Sequence, residues 1–113
     1  MLSRFFEPRR LGPPPKADVV ATVSGAGCGD VVRMWLRVVS DEVRAARHKV
    51  RGCPALVASA DYLCESVEGL DLDAAVEMNG ERVADALGLV GGKRHCAYLA
   101  AAALRRAVWK LVL

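Results

Sequence analysis

The hydrophobic period of this chain changes once, and the change falls at Gly52. Before it, Val32, Met34, Leu36 and Val38 point one way while Arg33, Trp35 and Arg37 point the other. That period of two is the mark of a half-buried strand with one solvated face. Val19 to Ser24 forms a short β-branched run. Val43 to Arg51 places Arg47, Lys49 and Arg51 on one face and Ala46, His48 and Val50 on the other. The turn at Ser40-Asp41 is short, so the three runs predict an antiparallel meander. After Gly52, Leu56, Ala60, Leu63 and Val67 follow helical spacing, and Pro54 suits a first helical position. Leu70 to Met78 and Glu81 to Leu87 predict two short helices separated by Asn79-Gly80. A long helix follows Gly91-Gly92, with Cys96, Leu99, Ala100, Ala103, Leu104, Ala107, Val108 and Leu111 on its apolar stripe. Strands first and helices afterwards predict an α+β domain: a three-stranded antiparallel sheet, helices packed on one of its faces, and a long C-terminal helix.

The chain has 113 residues, which is room for one such domain. Residues 1–16 read as an irregular arm, with Phe5 and Phe6 placed to dock on the core and Pro13-Pro14-Pro15 as an extended spacer; residues 17–113 form the domain. A net charge of +3 is too mild for a dedicated nucleic-acid binder. The basic face of Arg47, Lys49 and Arg51 lacks interleaved aromatics, so it reads as a solvated or partner-docking face, with no nucleic acid expected. The longest apolar run, Ala97 to Leu104, is far too short to span a bilayer, and no membrane association is expected. Met1 to Pro15 carries charges and prolines where a signal peptide has an apolar run, so a reducing, cytoplasmic compartment is the expectation. There, clustered thiols bind metal or carry out sulfur chemistry more often than they form bridges.

Of the four cysteines, three fall at element junctions. Cys28 lies in the glycine-rich turn before the second strand, Cys53 between Gly52 and Pro54, and Cys96 in the first turn of the last helix. A helix start offers free N–H groups and partial positive charge, and Arg51, Lys93 and Arg94 add to it, so lowered thiol pKa values are expected. Asp30 follows Cys28 by two residues and leaves the same face of an extended segment. His95 adjoins Cys96, and both can serve one metal where the backbone is not yet fully helical; otherwise they are alternative ligands. Cys64 lies roughly 16 Å along the helix axis from Cys53 and reads as a core thiol. His48 reads as a buried neutral imidazole with a hydrogen-bond partner.

Three blocks together resemble the iron–sulfur cluster assembly scaffold family (IscU and the N-terminal domain of NifU). They are Gly25-Ala26-Gly27-Cys28-Gly29-Asp30-Val31-Val32, Gly52-Cys53-Pro54-Ala55 followed by Ala58-Ser59-Ala60, and Lys93-Arg94-His95-Cys96 followed by Leu99-Ala100. Pro8-Arg9-Arg10-Leu11-Gly12 is similar to the segment that precedes the first strand in that family. The resemblance implies a non-enzymatic scaffold that builds a transient [2Fe–2S] cluster and passes it to apo iron–sulfur proteins. It implies that Cys28, Cys53 and Cys96 ligate the cluster, with Asp30 and His95 competing for the fourth position. Cys96 would accept persulfide sulfur from a cysteine desulfurase, and Lys93 would stabilise that anionic sulfur. The second expectation is a zinc-dependent persulfide acceptor, with Zn²⁺ held by the same donors. Leu89-Val90-Gly91-Gly92 stands where the family often carries a Leu-Pro-Pro-Val-Lys motif, so the resemblance does not extend to recognition by an Hsp70-type chaperone.

Overall fold

A computed structural model describes residues 8–25 and 29–112. Three strands, β1 (Val19–Ser24), β2 (Val31–Val39) and β3 (Glu42–Arg51), form one antiparallel sheet in the order β1-β2-β3, as the period-two runs predicted. The β2–β3 turn holds Ser40 and Asp41 at φ 52° and 61°. Two successive left-handed residues match the right-handed twist of the strands they join, which is why so short a turn suffices. The register shifts between Arg37 and Val38, a bulge that alternation alone does not reveal.

After Gly52 come α1 (Pro54–Val67), α2 (Leu72–Val76), α3 (Gly80–Leu87), a 3-10 turn at Gly91–Lys93, and α4 (Arg94–Val112). The short helices start where a side chain can cap them. The Asp71 carboxylate accepts from Ala74 N at 2.7 Å, and the Asn79 side chain accepts from Arg82 N at 2.9 Å. The second helix is therefore shorter than the sequence pattern suggested, and Gly80 belongs to α3 rather than to the break before it.

The core lies between one face of the sheet and the helices: Val32, Met34, Leu36 and Ala46 meet Leu56, Ala60, Leu63, Ala100, Leu104 and Ala107. Alanine supplies much of the helical surface, which lets helices and sheet approach closely. Gly80 goes further, since a Cβ there would stand 2.7 Å from the Tyr98 Cα. Helices α3 and α4 are in backbone contact at this point.

The chain preceding β1 is tied down through buried polar groups. Arg10 and Gly12 pair with His48 on the edge of β3 (His48 N to Arg10 O and Gly12 N to His48 O, both 2.8 Å). The Asp61 Oδ1 of α1 accepts from Arg9 N and Arg10 N at 2.9 Å each and lies 3.0 Å from His48 Nε2. Glu68 takes Arg10 Nε at 2.8 Å and Ala46 N at 3.1 Å. The expectation of a buried, hydrogen-bonded His48 holds, and burial lowers its pKa against the opposing pull of Asp61. Phe5 and Phe6 lie outside the described residues. One sequence reading is corrected: Trp35 stands directly opposite Arg47 in the β2–β3 ladder, so the basic face does hold an aromatic residue.

Candidate functional site

Three junctions converge at one end of the sheet. The β1–β2 connection brings Asp30, the β3–α1 junction brings Cys53, and the start of α4 brings His95 and Cys96. The Cys53 and Cys96 sulfurs lie 3.4 Å apart although 43 residues separate them in sequence. His95 Nε2 is 3.8 Å from Cys96 Sγ, and its other ring nitrogen, Nδ1, contacts the Gly92 carbonyl oxygen. Nδ1–H donates to that carbonyl, which leaves Nε2 facing the Cys96 sulfur. The 3-10 turn at Gly91–Lys93 supplies this carbonyl. Adjacent residues His95 and Cys96 thus serve one site because the chain enters the helix there.

Asp30 approaches the site through missing side chains, although among the described residues no three of these donors stand close enough together to hold one metal ion. A Cβ on Gly52 would lie 3.0 Å from Asp30 Oδ1 and 2.6 Å from Leu56 Cδ2, and one on Gly25 would lie 3.4 Å from the Asp30 Cβ. The two glycines leave the space that the carboxyl group and Leu56 occupy. Gly25 N closes the connection on Asp30 O at 2.9 Å, and Gly29 turns at φ 71°. Cys28 lies outside the described residues. Cys64 is fully buried in the core cluster, away from this site, and burial pushes its thiol far up.

The two site thiols are opposites in their acidity. Burial pushes Cys53 up, but the N–H of Leu56, the Cys96 thiol, the N–H of Ala55 and the charge of Lys93 outweigh it, and its pKa falls below the ordinary thiol value. Burial pushes Cys96 up to about 12, with the neighbouring Cys53 sulfur and then Asp30 adding to it and Lys93 opposing. Of the two, Cys53 is the one that ionises first, and Cys96 S–H then donates to its thiolate. This corrects the expectation that each helix-start thiol is acidified. Cys96 sits deeper, and a second sulfur beside it makes its own ionisation a like-charge problem. Arg94 does not contribute as expected either, because it turns to Asp85 at 3.1 Å and to the Leu89 carbonyl at 3.1 Å. Lys93 is the neighbouring cation that acts on both thiols.

Asp61 is a fully buried carboxylate that the spacing of α1 does not single out. It falls beside the apolar stripe of α1, and a carboxylate there was a signal that a polar partner must enter the core.

Comparison with known proteins gives a consistent relationship. The sequence model of the NifU-like N terminal domain matches residues 1–112. The iron-sulfur cluster assembly scaffold protein IscU 1 of Archaeoglobus fulgidus is 34% identical over 109 residues, which are 96% of this chain and 71% of that protein. The iron-sulfur cluster assembly protein IscU of Plasmodium falciparum is 32% identical over 107 residues, covering 92% of this chain and 66% of the relative. Among solved structures, the putative iron-sulfur cluster assembly scaffold protein for the SUF system of Fervidobacterium islandicum superimposes with a TM-score of 0.76, at 21% identity over 94% of this chain and 91% of that one. At that identity the likeness is one of fold.

Proposed function

The chain belongs to the NifU-like N terminal domain family, and from that premise we propose that it is a scaffold on which an iron–sulfur cluster is assembled before transfer to an acceptor protein. The observation that carries this reading is the Cys53–Cys96 sulfur pair, 3.4 Å apart, with a lone-pair nitrogen of His95 beside it. Two thiolates on one tetrahedral ion with metal–sulfur bonds of about 2.3 Å stand about 3.8 Å apart. The pair opens by a few tenths of an ångström to receive a metal. Thiolate and imidazole donors suit iron–sulfur centres, whereas the Asp30 carboxylate is a harder and weaker partner for such a centre. A site of mixed strength can both hold and release its cargo.

In the finer reading the cargo is a [2Fe–2S] cluster, Cys28 adds the third thiolate, and Asp30 and His95 exchange at the fourth position. Sulfur arrives as the persulfide of a cysteine desulfurase. The Cys53 thiolate takes the Cys96 proton, the Cys96 sulfur attacks the terminal persulfide sulfur, and the desulfurase thiolate leaves. Lys93, which acts electrostatically on both sulfurs, stabilises the anionic sulfur in transit. The chain is on this reading a carrier rather than an enzyme. Zn²⁺ fits the same donors, but the relatives' names favour the scaffold over a zinc-dependent persulfide acceptor. Of the described helices, none is long and apolar enough to cross a membrane.

The test is anaerobic reconstitution with ferrous iron and sulfide, read by visible absorption and by iron and acid-labile sulfide content. A coloured protein holding both is expected. A colourless protein holding neither overturns the proposal.

A further inference from the structure

The helices cover one face of the sheet, and the other carries an unbalanced charge. Its outward positions, rung by rung across β1, β2 and β3, are Ser24, Val31 and Arg51, then Thr22, Arg33 and Lys49, then Val20, Trp35 and Arg47, then Arg37 and Ala45. Five are cations and none is acidic. Two acids flank this face at the far end: Asp18, just before β1 and opposite Arg37, accepts from Val38 N at 2.7 Å, and Glu42, past the bulge, is paired with Arg44 at 3.4 Å. No ion pair among the described residues involves any of the five, and the Arg47 Nε is sealed from water without a hydrogen-bond partner. The basic character continues around the β1 edge, where Arg106 and Lys110 donate to the Thr22 and Val20 carbonyls. With a whole-chain charge of +3, a face of +5 means that the remainder is net negative.

The sequence neither neutralises this face nor leaves it apolar, and two features narrow its occupant. Arginine and tryptophan are the residues that most often anchor protein interfaces, and four Arg surround one Trp here. At the end nearest the thiols, Arg33, Lys49 and Arg51, with Val31 and Val50, line a cleft of about 330 Å³. It is sized for carboxylate side chains, which arginine holds bidentately. A single aromatic is a poor platform for successive nucleobases. The cleft also points somewhere: Arg51 is followed directly by Gly52 and Cys53.

We propose that the outward face of the sheet is the docking surface for an acidic protein, seated so that its edge meets the Cys53–Cys96 end of the molecule. That the partner exchanges cargo with the thiols rests on the scaffold reading; the docking does not.

The experiment titrates the 113-residue chain into a fluorescein-labelled, Glu-rich helical peptide of about twenty residues and, in parallel, into a labelled oligothymidylate of matched charge, both followed by anisotropy. The peptide is expected to bind, weakening about tenfold or more between low and physiological-plus salt. R33E/K49E should weaken binding by about tenfold or more, while R82E on α3 should not. R33Q/K49Q carries the test if the charge reversal does not fold. Unchanged peptide affinity in the sheet variants overturns the proposal. Tighter oligothymidylate binding that W35A abolishes also overturns it, in favour of nucleic acid. So does self-association in sedimentation that the sheet variants abolish, which gives the face to a second copy. Iron and sulfide content of the reconstituted variants should equal the parent's: lost docking with retained cluster isolates this surface, and a parent that fails to reconstitute sinks the scaffold reading alone.

Discussion

Acidification should weaken this fold through His48. The imidazole is fully buried, with Nε2 3.0 Å from Asp61 Oδ1 and Nδ1 sealed from water with no hydrogen-bond partner. The neutral tautomer with Nε2–H donating to Asp61 satisfies the carboxylate; a second proton would place an orphaned N–H in the core. Burial lowers the pKa, and the hydrogen bond and charge of Asp61 offset that only in part. The groups around it are Asp61 from α1, Glu68 just past its end, Arg10 from the segment before β1, and Arg47 next to it on β3. Arg10 and Glu68 pair with each other at 2.8 Å. Because the folded pKa lies below the unfolded value of about 6.5, the unfolded chain binds more protons below that pH. Stability is therefore fully present above about pH 6.5 and falls on acidification until the folded-state pKa is passed, at a rate capped at about 1.4 kcal/mol per pH unit for this one group. Urea unfolding across this range, for the parent and for His48→Phe, measures it. The variant keeps a ring in the core, removes the titration and leaves Asp61 its two amide donors from Arg9 and Arg10. Its stability should fall less steeply with acid. Equal slopes in the two proteins, or a parent that gains stability on acidification, would refute this account of His48.

Cys53→Ala should abolish most bound iron and sulfide after reconstitution, whereas Cys64→Ala should keep both and lose about 1–2 kcal/mol of stability, read by metal analysis and urea melts. Alkylation by iodoacetamide near neutral pH, mapped by mass spectrometry, should label Cys53 well before Cys96 and leave Cys64 unmodified in the folded protein, since the thiolate is the nucleophile. In Cys53→Ala the Cys96 thiol loses a like-charged neighbour, so the midpoint of its alkylation pH profile should move down. Gly80→Ala should cost about 2–3 kcal/mol, because the new Cβ meets backbone at Tyr98 rather than a movable side chain, lowering Tm by roughly 10 °C in a thermal melt.

What could be read from the sequence was local. Alternation from Val31 to Val38 marks a strand because each side chain reports its own face, and the four-residue rhythm from Leu56 to Val67 marks α1 for the same reason. The bulge at Arg37/Val38 was not legible, since a register shift depends on the partner strand. Nor was the hold of Asp61 on Arg9 and Arg10, which joins groups more than fifty residues apart. The site divides along the same line. That Cys53 and Cys96 occupy helix starts follows from Pro54 and Gly91-Gly92, and from helix starts alone both should be acidic. Proximity reverses one of them. Two thiols at 3.4 Å cannot both ionise cheaply, so the deeper one keeps its proton and the other becomes the thiolate. The convergence has a structural cause. The β1–β2 connection and the β3–α1 junction lie at the same end of an antiparallel meander, as alternate ends of its strands must, and α4 begins beside them. A chain that makes three strands and then packs its last helix back across β1 and β2 therefore brings Asp30, Cys53 and Cys96 to one edge.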